Sequence, residues 1–306
     1  MNNISRSKIE LFTDKVILTN NVRKSLQSIR DTHSMTGIEG VGMLLLGDSG
    51  LGKTTILDKY IKDNLKIEEN DELTCINIIK VSIPSKPTIK SLITSILEEV
   101  NYPIIAGTES QLTTSLNNCI KKQKIELIIF DEFQHFLREQ AQASTRNVTN
   151  FIKLIMDKHK LSMVMAGLKS GKEAISSYEE LYQRFTFEQV ILSPYSLRNE
   201  KEIEVFRNYM ISIERIIKDL EISIIGLSHD EMLQKVIIAT QGVPRLINRL
   251  FTKLLTNLKS NHEINIDDFI NAYYKIKTNK NYSESFNPFN INSKKKLIEL
   301  SRWNVD

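Results

Sequence analysis

The sequence predicts an α/β fold, a parallel sheet with crossover helices, followed by a small all-helical domain. Three observations predict it. From about residue 40 to 193, short apolar runs alternate with helix-period segments, the pattern of a parallel sheet with crossover helices. A glycine-rich turn joins the first apolar run directly to a helix-compatible segment. After Ser193-Pro194 the strand signal stops and only the 3.6-residue period continues.

Taken in order, residues 1–39 form an N-terminal extension with one helix expected over Asn20 to Asp31, capped by Thr19 or Asn20. Strands are expected at Val41 to Leu46, Cys75 to Val81, Glu126 to Phe130, Leu161 to Ala166 and Phe187 to Leu192. Helices are expected between them at Thr55 to Leu65, Thr88 to Glu99, Glu109 to Lys121 and Arg146 to His159. Leu112, Leu116 and Ile120 illustrate the i, i+4, i+8 spacing of one buried face. The α/β domain is thus bounded at 40–195. In 196–277, helical stripes such as Ile203, Phe206, Met210, Ile213 and Ile217, or Leu246, Ile247, Leu250 and Leu254, predict a helical lid domain. Residues 278–306 are rich in Asn, Ser and Lys and read as a flexible tail. Its isolated aromatics Tyr282, Phe286, Phe289 and Trp303 offer docking on a partner or neighbouring copy as the alternative reading.

Composition narrows the function classes. A chain of 306 residues with 41% hydrophobic content can bury a sizeable core and hold about two domains. There is no run of 18 apolar residues, and MNNISRSKIELFTDK has no apolar core before a cleavage site. The expectation is a cytoplasmic protein with no membrane span. Cys75 and Cys119 lack metal or C-x-x-C spacing and read as buried thiols. A net charge of +4 permits nucleic-acid binding without establishing it. Local basic clusters, Lys121-Lys122 with Lys124, Lys294-Lys295-Lys296, and Lys86 with Lys90, read first as solvated faces.

The glycine-rich turn carries the chemistry. Gly47-Asp48-Ser49-Gly50-Leu51-Gly52-Lys53-Thr54 is the full G-x-x-x-x-G-K-[ST] pattern of a P-loop, with Thr55 opening the helix behind it. Its glycines let backbone N–H groups turn inward around phosphate oxygens, and the following helix points its positive end at the same anion. Lys53 would reach the β- and γ-phosphates, and Thr54 would join a Mg²⁺ shell.

A second element supports the first. Ile125-Glu126-Leu127-Ile128-Ile129-Phe130-Asp131-Glu132 is an apolar strand ending in paired carboxylates, the form of a Walker B element. Asp131 would hold Mg²⁺ and Glu132 would act as general base on the attacking water. His135, three residues on, reads as structural first. Two arginines can supply positive charge to a phosphoryl transition state: Arg184 in LYQRF, acting in trans from a subunit edge, and Arg245 in GVPR at a helix start, with Pro244 near the first helical position. Taken singly, Arg184 reads as a surface salt bridge and Arg245 as a solvated helix end.

In this order and at these intervals, GDSGLGKT, LIIFDEFQHF, LYQRF and GVPR resemble the AAA+ ATPases over about residues 10 to 277. Within that superfamily the chain most resembles the TniB/TnsC group of transposition regulators, from Glu132-Phe133-Gln134-His135, the Leu161 to Ala166 strand leading to Gly167, Gln183-Arg184-Phe185, and the segment Val81 to Thr88. The resemblance implies an ATP- and Mg²⁺-dependent homo-oligomer, ring or filament, that binds double-stranded DNA without sequence preference and links a target-selection protein to a transposase. It implies Lys53 and Thr54 as nucleotide and Mg²⁺ ligands, Asp131 and Glu132 for hydrolysis, Arg184 as finger, Arg245 as second sensor, and Lys86, Thr88 and Lys90 as DNA contacts. The chain departs from the group at Leu168, where a polar residue is common, so no first sensor is assigned. The rival expectation keeps the ATPase switch and gives it a protein client in signalling or secretion.

Overall fold

The structure, a computed structural model, describes residues 6–70, 73–83, 88–103, 107–134, 142–258, 263–276 and 285–303. They divide into two compact units, one of residues 21–49 and 53–192, the other of residues 1–20, 50–52 and 193–306.

The first unit is built on a five-stranded parallel sheet. Its strands are β1 (Gly42–Leu46), β4 (Ile78–Ser82), β5 (Leu127–Asp131), β6 (Ser162–Gly167) and β7 (Glu188–Ile191), ordered β4-β5-β6-β1-β7. The central strands β1, β5 and β6 are buried at every position, as expected of strands covered on both faces. Register pairs Leu44 with Met165 and Gln189, and Phe130 with Met165 and Val81. Around the sheet lie α2 (Asn20–Ser34), α3 (Lys53–Asn64), α4 (Ile89–Glu99), α5 (Glu109–Gln123), α6 (Gln142–His159), α7 (Ser170–Ser176) and α8 (Glu179–Arg184). Leu44, Leu46, Phe130, Met165, Leu92, Ile93, Leu116 and Met156 share one core. Each such fully buried side chain contributes about 1.5–3 kcal/mol.

One expected strand divides in two. Cys75 to Val81 contains the end of β3 (Leu73–Ile76), which pairs antiparallel with β2 (Ile67–Asn70), and the start of β4. Asn77 separates them because its side chain serves the chain rather than a sheet ladder. Its Oδ1 accepts the Lys66 N–H at 2.8 Å, and its carbonyl accepts the N–H groups of Glu126 and Leu127. The thiols of Cys75 and Cys119 are both buried, and burial pushes Cys119 up to about 12.

The second unit packs α9 (Glu200–Asp219), α10 (Asp230–Thr240), α11 (Pro244–Asn257) and α12 (Ile266–Ile276) around Phe206, Met210, Leu233, Ile237, Leu250, Phe251 and Phe269. Asn199 caps α9 through the Glu202 N–H, and Pro244 opens α11, where its missing N–H costs nothing. Two chain ends join this core. Helix α1 (Arg6–Thr13) brings Phe12 to 6.5 Å from the Phe251 ring, so the extension expected over 1–39 does not act as one piece: α2 belongs with the sheet. In place of the flexible tail expected over 278–306, residues 285–303 hold a 3-10 turn at Pro288–Asn290 and α13 (Lys294–Trp303). The Phe289 ring lies tilted 5.1 Å from Phe269 and Leu297 is buried, because an aromatic ring and a leucine gain more from the helical core than from water. Phe286 is half-buried. Lys86, His135 and Tyr282, and the side chain of Trp303, lie outside the described residues. Among the described residues no helix is long and apolar enough to cross a membrane.

Candidate functional site

The site forms where the buried strands end. Strand β1 delivers the chain to Gly47, whose N–H donates to the Gly167 carbonyl at the end of β6 (3.0 Å), so the root of the P-loop is tied across the sheet. Gly50 and Gly52 adopt φ of 86° and 92°, a region that side chains rarely enter, and α3 begins immediately afterwards at Lys53. The loop is therefore a backbone concavity at a helix N-terminus, the arrangement that receives phosphate.

Lys53 is the informative cation. It is 5% exposed, and its ammonium donates to the Gly47 carbonyl at 2.6 Å and the Asp48 carbonyl at 3.1 Å. Burying an ammonium is costly unless it is hydrogen-bonded, and here the loop's own carbonyls hold it at the place where phosphate oxygens would lie. The Asp48 carboxylate is 3.6 Å from the Lys169 ammonium, which follows β6. Ser49 and Thr55 are exposed, whereas Leu51 is buried.

The Mg²⁺ pair expected from sequence comes together. Thr54 Oγ1 donates to Asp131 Oδ2 at 3.0 Å, joining the first turn of α3 to the end of β5. An alcohol beside a carboxylate is the hard-oxygen set that Mg²⁺ takes when phosphates and water complete its octahedron. Among the described residues no cluster of three or more His, Cys, Asp or Glu could hold a metal ion.

Glu132 stands next to this pair, exposed and in the left-handed region at φ 57°. Its N–H donates to Asp131 Oδ1 at 3.0 Å, and its carboxylate accepts from the Gln134 amide. A non-glycine residue costs about 1–2 kcal/mol in this region; Lys124 and Gln241 adopt it as helix C-caps, whereas Glu132 adopts it directly after a strand. Gln134 also accepts the Leu168 N–H at 3.1 Å. Gln134, a motif residue without an expected role of its own, thus joins Glu132 to the backbone at the end of β6.

The two arginines are placed differently. Arg184 ends α8 and forms a two-pronged ion pair with Asp157 on α6, at 2.9 and 3.2 Å and about one third exposed. Arg245 lies in the first turn of α11, and its backbone N–H donates to the Gly50 carbonyl at 3.1 Å within the second unit. Of the expected DNA contacts, Thr88 caps α4 in a reciprocal bond with Ser91. Lys90 is exposed beside it, with its ammonium 3.5 Å from the Gly107 carbonyl.

Solved structures share this architecture. Cdc6p from Pyrobaculum aerophilum superposes with a TM-score of 0.63 at 12% identity, covering 90% of this chain and 72% of its own. The ORC2 protein of Aeropyrum pernix, solved with ADPNP and ADP, gives 0.58 at 10% identity over 89% and 72%. Drosophila ORC bound to DNA gives 0.52 at 12% over 89% and 66%. At these identities the likeness establishes the fold alone. No curated protein sequence matches the chain. Residues 9–196, which hold the P-loop, the Asp131-Glu132 pair and Arg184, match the family described as bacterial TniB protein, and the chain belongs to that family.

Proposed function

We propose that the protein is an ATP-hydrolysing, DNA-binding regulator of transposition that assembles on target DNA and links a target-selection protein to a transposase. The observation that carries the reading is one assembly, a buried P-loop lysine, a Thr54–Asp131 oxygen pair at 3.0 Å and a neighbouring Glu132, on a chain of the TniB family. Mg²⁺, when bound, neutralises charge on the phosphates. Lys53 moves from the loop carbonyls to the β- and γ-phosphates. Glu132 accepts a proton from the water that attacks the γ-phosphorus, and ADP and phosphate leave.

Arg184 supplies the missing positive charge from a neighbouring copy. Its present bond to Asp157 is partly solvated and worth about 1 kcal/mol or less, so exchanging the carboxylate for a γ-phosphate is inexpensive. Nucleotide then stabilises the oligomer, and hydrolysis releases it. Arg245, in the helical unit, acts as second sensor. DNA is held by repeated exposed lysines, Lys90 among them, that contact backbone phosphates. Affinity should therefore fall steeply with salt and little with sequence.

The test is a mobility-shift series with random duplex, ATP and Mg²⁺, comparing wild type with Glu132→Gln. The variant is expected to lose hydrolysis by about a hundredfold or more, and to hold DNA longer than wild type. A variant that hydrolyses at the parental rate removes the assigned base. No shift at low salt in any nucleotide state removes DNA as the substrate and leaves a switch with a protein client.

A further inference from the structure

We propose that Gln134 is a positioning residue for hydrolysis, whose carboxamide fixes the Glu132 carboxylate to the backbone at the end of β6. This rests on the reading of Glu132 as general base. The left-handed turn at Glu132 (φ 57°) reverses the chain so that Phe133 enters the core, fully buried, and Gln134 comes back over Gly167-Leu168.

The room for this return is built in. A Cβ at Gly167 would stand 2.6 Å from the Phe133 ring and also in contact with the Gln134 oxygen, and a Cβ at Gly171 would stand 2.5 Å from the same ring. A glycine at the end of β6 and one in the first turn of α7 thus leave space for two consecutive side chains, and the cost of the strained residue between β5 and Phe133 is offset by that packing.

The chemistry fixes the amide's orientation. The Leu168 N–H can only donate, so it requires Oε1. The Glu132 carboxylate can only accept, so it takes Nε2. Each end of the carboxamide meets the one partner it can serve. Leu168 offers no polar side chain, and the polar group at this place is borrowed from the residue two beyond the base. A glutamate that is otherwise exposed would sample several rotamers. With Oε2 held, it presents Oε1 in one direction, which is the orientation term that a general base needs.

Gln134→Met keeps the length of the side chain and removes both hydrogen bonds. Gln134→Glu keeps the acceptor for Leu168 but replaces the donor with a like charge facing Glu132. Steady-state ATPase kinetics, nucleotide affinity by fluorescent-nucleotide titration, and Tm are measured for both, for Glu132→Gln, and for Glu132→Gln combined with Gln134→Met. The expected result is a fall in kcat of about tenfold or more in both single Gln134 variants, with KM and nucleotide affinity within about twofold of wild type. The Gln134→Met change should produce no further loss once Glu132 is already Gln, because a positioning residue has nothing left to position. A kcat within about twofold of wild type in either Gln134 variant, or a further loss in the double variant equal to that in the single, overturns the inference. The two readings separate cleanly: a silent Glu132→Gln with a fully active Gln134→Met sinks the role of Gln134 alone, whereas an active Glu132→Gln sinks the base assignment and this inference with it.

Discussion

The two ends of the parallel sheet carry similar side chains put to opposite uses. At the carboxyl end, Lys53, Asp131 and Glu132 gather around a loop of unusual backbone, and Glu132 lies in a region disfavoured for any residue with a side chain. At the amino end, His33, Tyr60, Asn77 and Glu126 gather as closely. His33 Nδ1 meets the Tyr60 hydroxyl at 2.9 Å and its Nε2 meets Glu126 at 3.2 Å, while Asn77 bonds Glu126 and the Asn64 carbonyl. Lys124 beside this cluster is also left-handed, at φ 55°, but as the C-cap of α5, and the cluster ties α2 and α3 to the starts of β4 and β5. A group of titratable residues therefore points to a site only together with a backbone shaped for a ligand, as at the glycines of the P-loop. Where the partners answer one another, the group is a brace.

That contrast is sharpened most by Lys53→Ala. At the carboxyl end the change should lower ATP affinity by at least about two orders of magnitude, because the lysine's interaction with phosphate is charge-assisted and desolvated. Tm of the nucleotide-free protein should shift little, and the increase in Tm normally given by saturating ATP should vanish. Calorimetry with and without ATP checks both. A variant that retains the ATP-dependent rise would place the phosphate elsewhere.

The reciprocal change lies at the amino end. His33→Ala removes two hydrogen bonds and leaves the Tyr60 hydroxyl and Glu126 to find others, with a cost of about 1–3 kcal/mol in stability. Hydrolysis per folded molecule should stay at the wild-type level. Denaturant unfolding measures the first and ATPase turnover below the transition the second. Lost turnover with unchanged stability would show that the brace reaches the site.

How much of this was legible in the sequence follows from what kind of signal each part uses. The P-loop and the Asp131-Glu132 pair are spacing signals, and the structure places Thr54 Oγ1 3.0 Å from Asp131. The sheet strands are apolar runs, and β1, β5, β6 and β7 fall within a residue or two of their expected limits, whereas Cys75 to Val81 divides between β3 and β4. What escaped notice uses other devices. Helix α2 and the turn after it dock largely through hydroxyls: Ser28 Oγ donates to Glu188 at 2.9 Å, Ser162 Oγ to the Thr32 carbonyl at 2.6 Å, and, in the turn, Thr36 Oγ1 to the Glu126 carbonyl at 2.6 Å. Polar residues that bury themselves by local bonding look like surface in a hydropathy pattern. Helix α1 and the Phe289 turn are short segments whose single aromatic finds a distant core, a contact no local period encodes. Gln134 was hidden for a related reason, since its meaning depends on a residue missing from position 168, 34 residues away.

The smallest effect expected from the comparison is in pH. Burial holds His33 below its ordinary range, against the raising influence of Glu126, and Lys66 adds to the lowering; burial with Lys158 and Lys121 does the same to His159, which bonds Asn117 at 2.7 Å. In the folded protein these rings are therefore less readily protonated than in the unfolded chain, where they titrate near 6.5. The unfolded state binds more protons as pH drops below that value, so stability present at neutral pH is lost through the window from about 6.5 downward until the folded rings also protonate. Replacing both with Gln removes the titration while keeping polar side chains at the two positions. Tm measured at pH 7.5, 6.5 and 5.5 should fall more steeply in wild type than in the double variant, so that the gap between them narrows with acid. Parallel falls would mean that the brace does not sense protons, and that acid acts on the protein through its carboxylates instead.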